Sequence, residues 1–108
     1  MNSIDIEAND IEWKDAIGYP PGAQEKVLNS GSEMSPRSIL LKLPPGWSMD
    51  SHSHSHTELH YVMEGNYESG NKIHASGTFR IIPKEVEHGP FTTKTGAIIL
   101  IIWCILRE

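Results

Sequence analysis

The 108-residue chain has one cysteine, two phenylalanines and no concentration of positive charge. A lone cysteine cannot close an internal disulfide, and without paired spacing it offers no thiolate metal site. Cys104 lies inside an apolar run and is expected to pack in the core. Nine Lys and Arg stand against fourteen Asp and Glu, giving a net charge of −5. The basic residues are scattered, which argues against nucleic acid or an anionic membrane as the main partner. The longest apolar run, residues 97–106, is about half of what a bilayer span requires. The opening MNSIDIEAND is acidic and lacks the basic-then-apolar pattern of a secretory signal. A cytoplasmic protein is the expectation. There is no nucleophile triad, phosphate-cradling glycine loop or zinc-finger spacing, and no internal repeat.

What is present is a series of short strand signals, and no segment sustains a 3.6-residue period. SIDIEANDIEWKD alternates in part, with Ile4 and Ile6 on one face, and reads as an edge strand. EKVLN is short. RSILLKL is a strand stopped by Pro44-Pro45-Gly46, and LHYVMEG a strand ending at Gly65. Ser69, Gly70 and Asn71 mark a hairpin. GTFRIIP is a strand running into Pro83, and β-branched isoleucines make AIILIIWCIL a strand rather than a helix. Short strands divided by Gly and Pro indicate an all-β sandwich or barrel.

The chemistry concentrates in HSHSHTELH, residues 52–60, where every second residue can bind a metal. In a strand, such residues share a face. A row from His52 to Glu58 would nevertheless extend about 20 Å, while ligand bonds are about 2.0–2.2 Å. Either one adjacent pair forms a site, or the chain bends between His54 and Glu58 and returns the carboxylate. Composition leaves that choice open.

Spacing adds a resemblance. Gly46, His52, His54, Glu58 and Gly65 match G-x5-H-x-H-x3-E-x6-G at every defined position. Gly77, Pro83 and His88 then match G-x5-P-x-G-x2-H-x3-N. Glu85 stands where that pattern has Gly, and Thr92 where it has Asn. These motifs resemble the cupin superfamily over about residues 38–104, with a looser similarity to ChrR-like and dioxygenase-like members.

The resemblance implies an antiparallel jelly-roll, or double-stranded β-helix, barrel. It divides the chain into an N-terminal extended segment, 1–37, and a cupin barrel, 38–108, within a single domain. It implies His52, His54, Glu58 and His88 as ligands of one divalent transition metal. Three imidazoles and a carboxylate suit Fe, Mn, Ni, Co, Cu or Zn better than Mg or Ca. A small organic molecule is the implied substrate or ligand, with dioxygenase-like or non-redox isomerase or decarboxylase chemistry. The alternative is a non-catalytic sensor of a metal or small molecule.

Other residues carry separate expectations. His60 shares a face with Glu58 and Val62, so it should point inward and support the ligands or orient substrate. His56 is expected in solvent at the bend, and His74 on the surface of its strand. Glu64, Glu85 and Glu87 read as solvated charges, and Tyr61 and Tyr67 as core or edge packing. The last strand is apolar on both faces: Ile98, Leu100 and Ile102 on one, Ile99, Ile101 and Trp103 on the other. One face can fill a barrel; the other needs a cover. A homodimer is therefore expected.

Overall fold

The computed structural model describes residues 2–104. After one 3-10 turn, Ala8–Asp10, nine strands follow: β1 Lys14–Asp15, β2 Gln24–Asn29, β3 Arg37–Leu43, β4 Ser48–Met49, β5 Thr57–Ser69, β6 Lys72–Ala75, β7 Phe79–Ile82, β8 Phe91–Thr92 and β9 Ala97–Cys104. All pairings are antiparallel. The hydrogen-bonded order is β1-β2-β3-β9-β5-β8-β4, with β6 and β7 also on β5. The all-β jelly-roll expectation holds.

β5 makes the sheet curl. Its first half lies between β7 and β9, and its second half pairs with β6 and β8. The register slips between Val62 and Glu64, and the extra residue bends the strand from one sheet into the other. Gly65 follows at φ 69°. A Cβ there would strike the carbonyl of Gly96, so this closing approach requires glycine. The sequence ended this strand at Gly65; in the fold it runs on to Ser69, because glycine here bends the strand without terminating it.

Alternation then sets the faces. Ile39, Leu41 and Leu43 of β3, Val62 of β5 and Ala97, Ile99 and Ile101 of β9 fill the barrel with Trp47, Tyr67 and Phe91. Ile39 and Ile101 are at most 2% exposed, each contributing about 2–3 kcal/mol by leaving water. On the opposite face of β9, Ile98, Leu100 and Ile102 are only half-buried. The expectation that both faces are buried is met on one side alone.

The edge strand expected near the N-terminus shrinks to Lys14–Asp15. Ile4 and Ile6 stay exposed because no strand lies beside them to complete a ladder. Instead Trp13 receives the ammonium groups of Lys26 and Lys42, at 4.9 and 5.4 Å from its ring centre. Lys26 Nζ also donates to Ala8 O at 2.9 Å. These contacts lay the N-terminal segment on the outer side of β2 and β3. Among the described residues, no helix is long and apolar enough to cross a membrane.

Candidate metal centre

His52 and His54 precede β5, and a bend at Ser55 and His56 turns the chain into that strand. His88 arrives on the segment between β7 and β8. Two backbone hydrogen bonds join the two pieces: His52 N–H to His88 O at 3.0 Å, and His88 N–H to His52 O at 2.8 Å. A third bond, from Glu85 N–H to His54 O at 2.7 Å, ties in the middle of the loop. Glu85 adopts φ 63°, the left-handed conformation for which glycine is favoured. The turn survives the replacement of the motif glycine.

The three imidazoles converge. His52, His54 and His88 each offer a ring nitrogen, and these lie within 4.8 Å of one another. His88 Nε2 is 2.9 Å from His54 Nδ1. Glu58, on the inner face of β5, places Oε2 2.6 Å from His54 Nε2. The bend between His54 and Glu58 is thus realised. Glu58 is joined to the cluster through His54 rather than being one of the three mutually converging groups.

Several buried atoms lack partners. Glu58 Oε2 and His88 Nδ1 accept or donate no hydrogen bond among the described residues. The short approach of His54 Nε2 to Glu58 Oε2 does not run along an N–H direction, so it leaves that oxygen unsatisfied. Buried polar atoms without partners are costly. Two donors bound at right angles to one ion, at about 2.1 Å each, stand about 3 Å apart. The 2.9 Å between His54 Nδ1 and His88 Nε2 falls close to that value, whereas Glu58 Oε2 approaches the other nitrogen of the same ring, His54 Nε2, and its 2.6 Å is not a second edge around that ion. The donor set and its unsatisfied atoms fit a transition-metal ion.

Protonation agrees. Burial, then the charges of His54 and His52, lower the pKa of His88 from 6.5 to about 4. Burial also lowers that of His54, against the opposing pull of Glu58. Both rings are therefore neutral near pH 7, the form that ligates. Burial raises the pKa of the Glu58 carboxyl, but the hydrogen bond from His60 and the neighbouring imidazoles outweigh it, and Glu58 is ionised.

His60 points inward as expected and is 5% exposed. Its Nε2 lies 2.8 Å from Glu58 Oε1 and its Nδ1 2.9 Å from the Tyr67 hydroxyl. Arg80 Nη1 donates to that same hydroxyl at 3.0 Å. Arginine only donates, so the Tyr67 oxygen accepts from it and its O–H turns to His60. His60 Nδ1 then accepts, and Nε2–H donates to Glu58. The chain Arg80–Tyr67–His60–Glu58 fixes both the tautomer and the carboxylate. Tyr67 is buried in the core, in line with its reading from the sequence; what that reading missed is its link to His60 and Arg80, which come together only through the β5 bend and the β5–β7 pairing.

His74 corrects another expectation. It is buried, not on the surface, with its ring 5.3 Å from Tyr67 and Nε2 3.3 Å from Ser69 O. His56 is exposed and contacts Ser55.

The interior beside the histidines is narrow, about 20 Å³, room for about one water. A cleft of about 510 Å³ opens onto His52, His54 and Glu58 between Tyr19 and Trp103. Tyr19 is held neutral by burial and by the nearby carboxylates Glu58 and Glu25. A guest larger than water must therefore approach from the cleft.

Solved structures resemble this chain. A chain in the crystal structure of Rhodobacter sphaeroides SigE in complex with the anti-sigma ChrR is 25% identical, with a TM-score of 0.72. The match covers 91% of this chain but 52% of that one, so this chain spans about half its length. An RmlC-like cupin from Shewanella frigidimarina is 23% identical, with a TM-score of 0.79 and coverage of 99% and 95%. A protein provisionally assigned as an acetylacetone dioxygenase from Methylibium petroleiphilum is 14% identical, with a TM-score of 0.82 and coverage of 95% and 77%. No curated protein matches. The sequence itself matches the ChrR cupin-like domain over residues 1–103, and the chain belongs to that family.

Proposed function

We propose that the protein binds one divalent transition metal through His52, His54, Glu58 and His88 and acts on a small organic molecule at that centre. The observation that carries this is the convergence of three imidazoles beside an ionised carboxylate, with two buried atoms left unsatisfied. The metal would supply Lewis acidity or redox chemistry to a bound molecule. The chain's own residues do the rest. His60 holds Glu58 in one orientation, Tyr67 and Arg80 hold His60, and Tyr19 and Trp103 bound the approach.

The dioxygenase-like neighbour supports an oxidative reaction, and isomerisation or decarboxylation is the non-redox form of the same reading. Elemental analysis of the purified chain, with O₂ uptake on a diketone and catechol panel, tests it. Bound iron and uptake are expected. Absence of any transition metal after growth in metal-supplemented medium would remove the reading.

Similarity to a chain of the SigE–ChrR complex favours a second reading, a metal or small-molecule sensor. Tight binding of metal and ligand without turnover would select it. In either case we propose a homodimer that covers the half-buried outer face, where Phe79 and Ile81 are 57% and 62% exposed. A monomeric mass by light scattering at micromolar concentration would exclude the dimer.

A further inference from the structure

Arg37 opens β3 and faces the barrel mouth. It shares a face with Ile39 and Leu41, both buried inside. Across the sheet, Arg37 pairs with Trp103, and Trp103 pairs on its other side with Glu58. These three residues form one row on the inner face. Strands lie about 4.8 Å apart, so the backbones of Arg37 and Glu58 are about 10 Å apart.

The guanidinium lies over the Trp103 ring, 5.5 Å from its centre. Stacking restrains the group while leaving its edge N–H donors available. Among the described residues, Arg37 forms no ion pair. It is also the only Lys or Arg among the described residues lining the inner cavity, the cleft at the histidines and the adjoining cleft. The acidic groups lining these spaces, Asp50 and Glu58, lie on the far side of Trp103, with the histidines. Trp103 lines both clefts, so a guest lying on it reaches Arg37 at one end and the histidine cluster at the other.

We propose that this mouth recognises a small organic carboxylate. Arg37 takes the carboxylate in a two-point hydrogen bond, a geometry that a guanidinium matches and an ammonium does not. The flat Trp103 ring carries the apolar body. The interior is too narrow for the whole molecule, so the acid stays in the cleft and only its other end meets the histidines. This names a substrate class for the proposed centre and rests on that reading only for what happens at the second end.

Benzoate and its neutral analogue benzamide are suitable probes, because neither is a strong chelator. Binding is followed on the full chain by the shift of the Trp103 indole N–H signal in ¹H–¹⁵N spectra, assigned with Trp103→Phe. We expect benzoate to bind at least about tenfold more tightly than benzamide, the scale of a charge-assisted hydrogen bond. Arg37→Gln should reduce that preference to about one, while Arg37→Lys keeps part of it. Equal affinities in the unmodified chain, no benzoate shift at Trp103, or an undiminished preference in Arg37→Gln would each overturn the proposal.

Elemental analysis of the same samples separates the two ideas. A benzoate preference in a protein that takes up no metal would sink the metal centre and leave Arg37's role standing. A metal-loaded protein indifferent to the probe's charge would do the reverse.

Discussion

Glu85 donates its backbone N–H to the carbonyl of His54 from a left-handed conformation, φ 63°. The loop carrying His54 is thus secured by a residue whose own backbone is strained. That conformation costs an L-residue about 1–2 kcal/mol, and the extra freedom glycine loses on folding offsets part of it. Glu85→Gly should therefore stabilise the fold by about 0.5–1 kcal/mol, raising Tm by a few degrees. Glu85→Val should lower it and loosen metal binding. Calorimetry of the three proteins checks both directions.

Tyr67→Phe removes one hydroxyl that serves both His60 and Arg80. It leaves a buried imidazole nitrogen unpaired, at a cost of about 1–3 kcal/mol. Since His60 holds Glu58, Co(II) affinity in a competition titration should fall about tenfold, in the range for residues that orient ligands. In the unmodified apo-protein, ¹⁵N shifts should place the His60 proton on Nε2. A proton on Nδ1 would contradict the hydrogen-bond chain.

Gly65→Ala meets backbone on the facing strand, where neither the Gly96 carbonyl nor Ala97 Cα has a flexible end to move aside. We expect a loss of about 2–4 kcal/mol in denaturant unfolding. Gly70→Ala is the control. Its φ is 62° but nothing lies within 4 Å of a new Cβ, so only the conformational cost of about 1 kcal/mol should appear.

The metal-free protein should lose stability on acidification. His88 titrates near 4 in the fold, against 6.5 for a free imidazole, and His54 is shifted the same way. Between those values the unfolded chain binds more protons, so stability rises with pH. The benefit is complete above about pH 6.5, shrinks as pH falls, and for His88 stops shrinking near pH 4. Glu58, also lowered, adds stability above its unfolded pKa of 4.5 that is lost as pH falls through its folded value. His88→Asn should flatten the upper part of this profile in denaturant titrations run from pH 7 to 4.

Much of this was legible in the sequence. β3 was read with the bounds the fold gives it, and β7 and most of β9 appeared as apolar or alternating runs; the end of the 97–106 run falls outside the described residues. Motif spacing singled out His52, His54, Glu58 and His88, because glycine and proline at fixed distances mark the turns that bring them together.

Faces set by register were not legible. In β6, Ile73 is 66% exposed while His74 is buried, the reverse of their polarity. The turn at Gly70 and Asn71 pairs His74 with Tyr67, and that pairing decides which side chain faces in. Tyr67, Arg80, Arg37 and Trp103 escaped for a related reason. Tyr67 meets His60 across the bend of β5 and the other contacts are between strands, and the pattern of a single straight strand carries no trace of either.

The two backbone bonds between His52 and His88 have a kinetic consequence. The segments that bear these imidazoles are bridged by main chain, so their meeting is part of barrel closure. A metal that bound there would then exchange at the speed of ligand substitution.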